Sequence, residues 1–204
     1  KIAALMPPER VVKFTRVTEN SFYNYDEYFF KNKLICLEDI DGLKEEALFA
    51  WRELISNNQL SSSTSQKDEN GNIRSAHRIV RGPMASICAT THGHIYEDNM
   101  SRLFIIAVDE SLEQTEKIMQ YQSLSASGTI EKEQENKARE FLQNCVRMLK
   151  PYRVVNPFAE QIKLPPQAHK IRRLHELFLA FVNQLTIMNQ YQRKKDAQGR
   201  LVAE

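Results

Sequence analysis

The chain has 204 residues, 42% hydrophobic and 26% charged, with 28 basic and 26 acidic residues giving a net charge of +2. That length buries one sizeable core and leaves room for a small appended domain. No apolar run approaches the ~18 residues that span a bilayer and no signal peptide opens the chain, so a soluble, cytoplasmic protein with no membrane partner is expected.

The opening, KIAALMPPE, reads as the last turns of a helix stopped by Pro7 and Pro8. With no initiator Met, it is expected to belong to a fragment of a longer protein. RVVKFTRVT has the β-branched content of a strand, and KLICL, residues 33–37, is a short continuous apolar run of the kind buried in parallel sheets. It runs straight into Glu38, Asp39 and Asp41. LKEEALFAWRELISNN then repeats apolar residues at helical spacing (Leu43, Ala47, Leu48, Trp51, Leu54, Ile55), with acids in its first turn and Asn57 and Asn58 as its stop. From Leu60 to Val80, two polar stretches flank KDENGN, whose Asn-Gly pair predicts a protruding β-hairpin with basic flanks.

Gly82 and Pro83 punctuate the chain, MASICATT supplies a third core strand, and LFIIAVDES a fourth. The remainder is helical: 112–122, 130–149 and 167–195. Strands alternating with longer connections predict an α/β fold with a parallel sheet and an inserted β-hairpin. This core spans 1–122, and a helical C-terminal region spans 123–204. The cysteines, Cys36, Cys88 and Cys145, lie far apart and read as small apolar residues rather than a disulfide or zinc set.

Burying the acids after KLICL would cost desolvation unless a metal, a cation or a reaction uses them. At the C-terminal end of a parallel strand they lie where open α/β sheets bind ligands. One carboxylate there can hold a hydrated magnesium ion while its neighbour orients or deprotonates a water. Capping the following helix is the plainer alternative. Thr90 and Thr91 end the third strand with two hydroxyls able to reach the same water. Arg102 precedes the fourth strand, where it can point toward a neighbouring subunit. His92 and His94 form an H-x-H pair with no third ligand at a supporting spacing, and DENGN lacks the calcium-loop pattern with its terminal Glu. Basic residues gather at 67–81 and again at 163–200, which permits a nucleic-acid partner.

LICLEDIDG, EALFAWRELISNNQLSSSTS, SICATT and NMSRLFIIAVDES, in that order within residues 1–120, resemble four segments of the AAA+ ATPases. These are the Walker B strand, the helix running into an inserted hairpin, the sensor 1 strand and the arginine-finger segment. The resemblance is to the pre-sensor hairpin branch, which contains the minichromosome maintenance helicases. The whole chain looks like the ATPase part of primase- or helicase-like proteins carried on bacterial mobile elements. This implies an ATP-dependent DNA helicase, translocase or primase-associated ATPase, with ATP and Mg2+ as cofactors. It further implies sequence-independent DNA binding, single-stranded or duplex, and self-association into a ring.

By the same resemblance, Glu38 takes the magnesium-side position and Asp39 the water-activating one, inverting the usual Asp-Glu order and shortening the reach of the base. Thr90 or Thr91 stands at sensor 1, where the family more often has Asn. Arg102 is the finger that stabilises charge on a neighbour's γ-phosphate. Arg172 or Arg173 resembles sensor 2, with a basic helix face as the alternative. Lys67, Arg74, Arg78 and Arg81 would contact nucleic-acid phosphates from the hairpin. None of the six glycines is followed by Lys-Ser or Lys-Thr, so the G-x-x-x-x-G-K-[ST] loop that holds phosphates is absent. Its expected place is upstream of Lys1, together with the family's first strand, and the fragment alone is expected to be inactive. A non-catalytic nucleic-acid-binding or assembly module, gripping through the hairpin and a basic C-terminal helix around Arg193 to Lys195, is the rival reading.

Overall fold

The computed structural model describes residues 2–67, 71–91, 102–168 and 170–204. The chain divides into two compact units, Lys1–Arg102 and Leu103–Glu204. The sequence-based reading of His92 and His94 lies outside the described residues.

The first unit is built on a three-stranded parallel sheet in the order β1 (Val11–Phe14), β2 (Lys33–Leu37), β5 (Met84–Cys88). Central β2 buries Ile35, Cys36 and Leu37 in succession, as a strand covered on both faces must. Parallel neighbours cannot be joined by a tight turn. The β1–β2 crossover is a 3-10 turn, Ser21–Asn24, followed by an aromatic run. There Phe22 and Phe30 are fully buried, their rings 5.8 Å apart, and Tyr25 stacks on Phe29 at 4.3 Å. Aromatic packing does the covering that a crossover helix usually performs.

The β2–β5 crossover carries helix α1 (Glu45–Asn57) and the antiparallel hairpin of β3 (Gln59–Lys67) and β4 (Ile73–Arg81). Ala47, Ala50, Trp51 and Leu54 are all buried, at the i, i+3, i+4, i+7 spacing of one helix face. Trp51 Nε1 donates to Ser86 Oγ at 2.8 Å, pinning α1 to β5. Asn58, in the left-handed region at φ 54°, ends the helix, and its carbonyl accepts from the Gly82 amide at 2.7 Å. A Cβ on Gly82 would meet the Met84 nitrogen at 3.1 Å, so a side chain there would press the return of the hairpin to β5 aside by a few tenths of an ångström. Paired Leu60 and Val80 bury the hairpin's base. Gly71, at φ 82°, supplies the left-handed residue that the Asn-Gly signal predicts.

In the second unit, helices α2 (Leu112–Ala126), α3 (Lys132–Met148) and α4 (Ile171–Met188) accompany a small parallel sheet of β6 (Val154–Val155) and β7 (Leu201–Val202). Two sequence expectations change here. LFIIAVDES forms no strand: Ile106 and Val108 are 86% and 82% exposed, because an apolar β-branched run needs a neighbouring strand to pair with and no described residue offers one. The last helix ends at Met188 rather than 195. The chain there turns back so that Leu201 and Ala203, both buried, can pair beside Val154 and Val155. Among the described residues, no helix is long and apolar enough to cross a membrane.

Replacing Trp51, the single tryptophan, with Ala should cost about 3–5 kcal/mol in urea denaturation followed by far-UV circular dichroism. Ser86→Ala should cost about 1 kcal/mol. Costs within ~0.5 kcal/mol for both would mean that α1 is not pinned through this contact.

Candidate functional site

The C-terminal ends of β2 and β5 lie side by side because the strands pair in register from Lys33↔Met84 to Leu37↔Cys88. Beyond the pairing, the Ile40 amide donates to the Ala89 carbonyl at 3.0 Å, drawing the acidic loop across the end of β5. Glu38 and Asp39 are both exposed, so the desolvation penalty anticipated for them does not arise. It is Asp41 that is half-buried.

Asp41 has the partners that such burial requires. Its Oδ1 accepts from Thr90 Oγ1 at 2.6 Å, and its Oδ2 accepts from the Thr91 amide at 3.0 Å and from Thr91 Oγ1 at 3.3 Å. Asp39 Oδ1 in turn accepts the Asp41 amide at 2.8 Å. A continuous chain of hydrogen bonds therefore runs from Asp39 through Asp41 to Thr90 and Thr91. Sequence reasoning brought these residues together but passed over Asp41 as their link. The alternation of buried Ile40 between two polar acids was the signal. Burial raises the thiols of Cys36 and Cys88 above their ordinary value, and the Asp41 charge adds to the effect at Cys88.

The other sequence-derived residues are placed differently. Arg102 donates through Nη1 to Ser56 Oγ in the last turn of α1 on its own subunit. Arg172 and Arg173 open α4 in the second unit, whereas the acids belong to the first. On the hairpin, Arg78 donates to Asn24 Oδ1 at 2.6 Å. Arg81 donates to Glu27 Oε1 and to Gln59 Oε1, each at 2.6 Å. The Arg78 bond ties the hairpin to the 3-10 turn and the Glu27 bond ties its base to the segment after that turn, while the Arg81 guanidinium holds Glu27 below the usual carboxylate range. Lys67 stands opposite Ile73, so Lys67 and Arg74 project from opposite faces. The four cations do not form one stripe.

A groove of about 740 Å³ lies between α1 and the hairpin base, lined in part by Tyr23, Asn24, Glu46, Phe49, Arg52 and Ser62. It shares no lining residue with the acid–threonine chain. Among the described residues, no group of three or more His, Cys, Asp or Glu side chains is placed to hold a metal ion. No protein-family model matches this chain, and no curated protein matches it either.

Asp41→Asn places an amide N–H against the Thr90 or Thr91 donors and should cost about 1–3 kcal/mol in unfolding free energy. A loss under ~0.5 kcal/mol would remove Asp41 as the link. In alkylation near neutral pH, the exposed Cys145 should react first, while raised, shielded Cys88 and Cys36 lag by an order of magnitude or more, read by mass spectrometry. Equal rates for Cys88 and Cys145 would contradict the burial at the end of β5.

Proposed function

We propose that the chain supplies the acid- and hydroxyl-bearing half of a nucleoside-triphosphatase site in a ring-forming motor acting on DNA, of the AAA+ pre-sensor hairpin type. One observation carries this reading. The central strand of a parallel sheet ends in exposed carboxylates, and a hydrogen-bonded aspartate, Asp41, ties one of them, Asp39, to hydroxyls beyond the end of the next strand. The intervening order, helix and then inserted hairpin, supports it.

Glu38 and Asp39 offer hard oxygen donors whose exposure suits magnesium, an ion that keeps most of its water. When bound, the ion supplies charge neutralisation at the phosphates. Asp39 has Oδ1 engaged by the Asp41 amide, which orients the group and leaves Oδ2 to accept a proton from water. Asp41 acts by positioning: it holds Thr90 and Thr91 in place rather than meeting substrate. These residues do not hold a triphosphate, so the function calls for a phosphate-binding loop contributed from outside the 204 residues. Arg102, to serve a neighbour's site, must exchange its bond to Ser56 for one across the ring.

The 204-residue chain alone should not hydrolyse ATP. In a form that carries a phosphate-binding loop, Asp39→Asn keeps the Oδ1 acceptor for Asp41 while removing the base. Hydrolysis should fall by ~10²-fold or more with the melting temperature unchanged. Arg102→Ala in that form should lose hydrolysis, and mixing it with the Asp39→Asn form should restore part of the rate. Full activity in Asp39→Asn would sink the nucleotide-site reading. Absence of nucleotide dependence in the loop-bearing form, with DNA binding intact, would favour the rival, non-catalytic module.

A further inference from the structure

The sequence read Arg193 to Lys195 as a basic helix, but the chain has left the helix by then. It forms instead the edge of a compact strip in the second unit, where two segments distant in sequence run side by side. Tyr191 Oη donates to the Met148 carbonyl at 2.7 Å, the Lys150 amide to Gln190 Oε1 at 3.1 Å, and Lys195 Nζ to Tyr152 Oη at 2.8 Å. The Leu201 amide donates to the Arg153 carbonyl at 2.9 Å, and the Val202 amide to the Lys194 carbonyl at 3.0 Å. The 150–153 and 190–202 segments are thus bonded into one surface.

The charge of this surface is one-sided. Residues 150–155 and 190–204 carry six cations, Lys150, Arg153, Arg193, Lys194, Lys195 and Arg200, against two acids. Each acid is spent on an arginine of the strip itself: Asp196 pairs with Arg200 at 2.7 Å and Glu204 with Arg193 at 3.1 Å. Lys150, Arg153, Lys194 and Lys195 are exposed and carry the surplus. Two aromatic rings lie among them. Tyr191 is 61% exposed, and Lys195 rests over the Tyr152 ring at 4.1 Å. Cations beside the accessible ring of Tyr191 match an extended polyanion that carries flat bases. A duplex hides those base faces, and an acidic peptide has none.

We infer that the strip formed by Lys150–Arg153 and Tyr191–Lys195 binds single-stranded nucleic acid, the lysines and arginine holding phosphates and Tyr191 stacking on an unpaired base. This contact shares no residue with the proposed nucleotide site or with the hairpin, and it stands whether or not the chain belongs to a motor.

The test is fluorescence anisotropy of the 204-residue protein with a labelled single-stranded oligonucleotide of mixed sequence, across a salt series. Replacing Arg153, Lys194 and Lys195 together with Ala should lower the slope of log affinity against log salt by about two, at roughly 0.7 per phosphate contact on a single strand. Tyr191→Ala should weaken binding about tenfold without changing the slope, and Tyr191→Phe, which keeps the ring, should bind as the parent does. A matched variant, Lys132, Lys137 and Lys163 to Ala, should leave the slope unchanged. Thermal unfolding by circular dichroism accompanies each variant. If the triple variant melts early, Lys194→Gln alone, at an exposed side chain, should still lower the slope by about 0.7. The proposal is overturned by an unchanged slope in the strip variants, by an equal loss in the matched variant, by tighter binding of the duplex, or by equal displacement with polyglutamate.

Discussion

Parallel strands cannot be joined by a tight turn, and the first unit is organised around that constraint. Each step from β1 to β2 to β5 needs a crossover that also covers a face of the sheet. The first crossover is filled by Phe22, Tyr25, Phe29 and Phe30 around a single 3-10 turn. The second is filled by α1, anchored through Trp51 to Ser86. Because the second crossover already has its covering helix, the polypeptide between α1 and β5 is free to extend outward. The hairpin of β3 and β4 is the result, held to the body by Leu60, Val80 and the Arg81–Glu27 pair at its base.

The same topology decides where charge is tolerated. Carboxylates beyond the end of β2 emerge into solvent, so Glu38 and Asp39 keep their hydration. Asp41 is drawn inward when Ile40 is buried, and three hydrogen bonds from Thr90 and Thr91 replace the water it loses. A structural requirement and a chemical opportunity coincide there. The bonds that satisfy Asp41 also fix the hydroxyls of one strand end against the carboxylates of another. Preorganisation of this kind lets polar groups act without first reorganising.

Cations follow a contrasting logic in the two units. On the hairpin, basic residues close in sequence are dispersed: strand alternation sends Lys67 and Arg74 to opposite faces, while Arg78 and Arg81 are engaged at the base. In the second unit, basic residues about forty positions apart are gathered, because β7 returns to pair with β6 and brings 193–200 beside 150–153. Proximity in the chain was a poor guide to proximity in space in both cases.

Much of the architecture was legible in local pattern. The continuous apolar run of KLICL, the i, i+3, i+4, i+7 face of α1, the Asn-Gly hairpin and the hydroxyls closing the third strand each follow from side-chain period or turn chemistry. These act over a few residues. LFIIAVDES shows the limit of pattern: strand composition makes no strand when no described residue pairs with it. The aromatic crossover, the linking role of Asp41, the bond of Arg102 to Ser56 and the basic strip of the second unit were decided only in three dimensions. Each depends on contacts between segments whose separation no local period encodes. The sequence by itself determined which short elements form and what chemistry they carry. Tertiary pairing decided which of those groups meet, because burial and hydrogen-bond satisfaction are properties of neighbours in space.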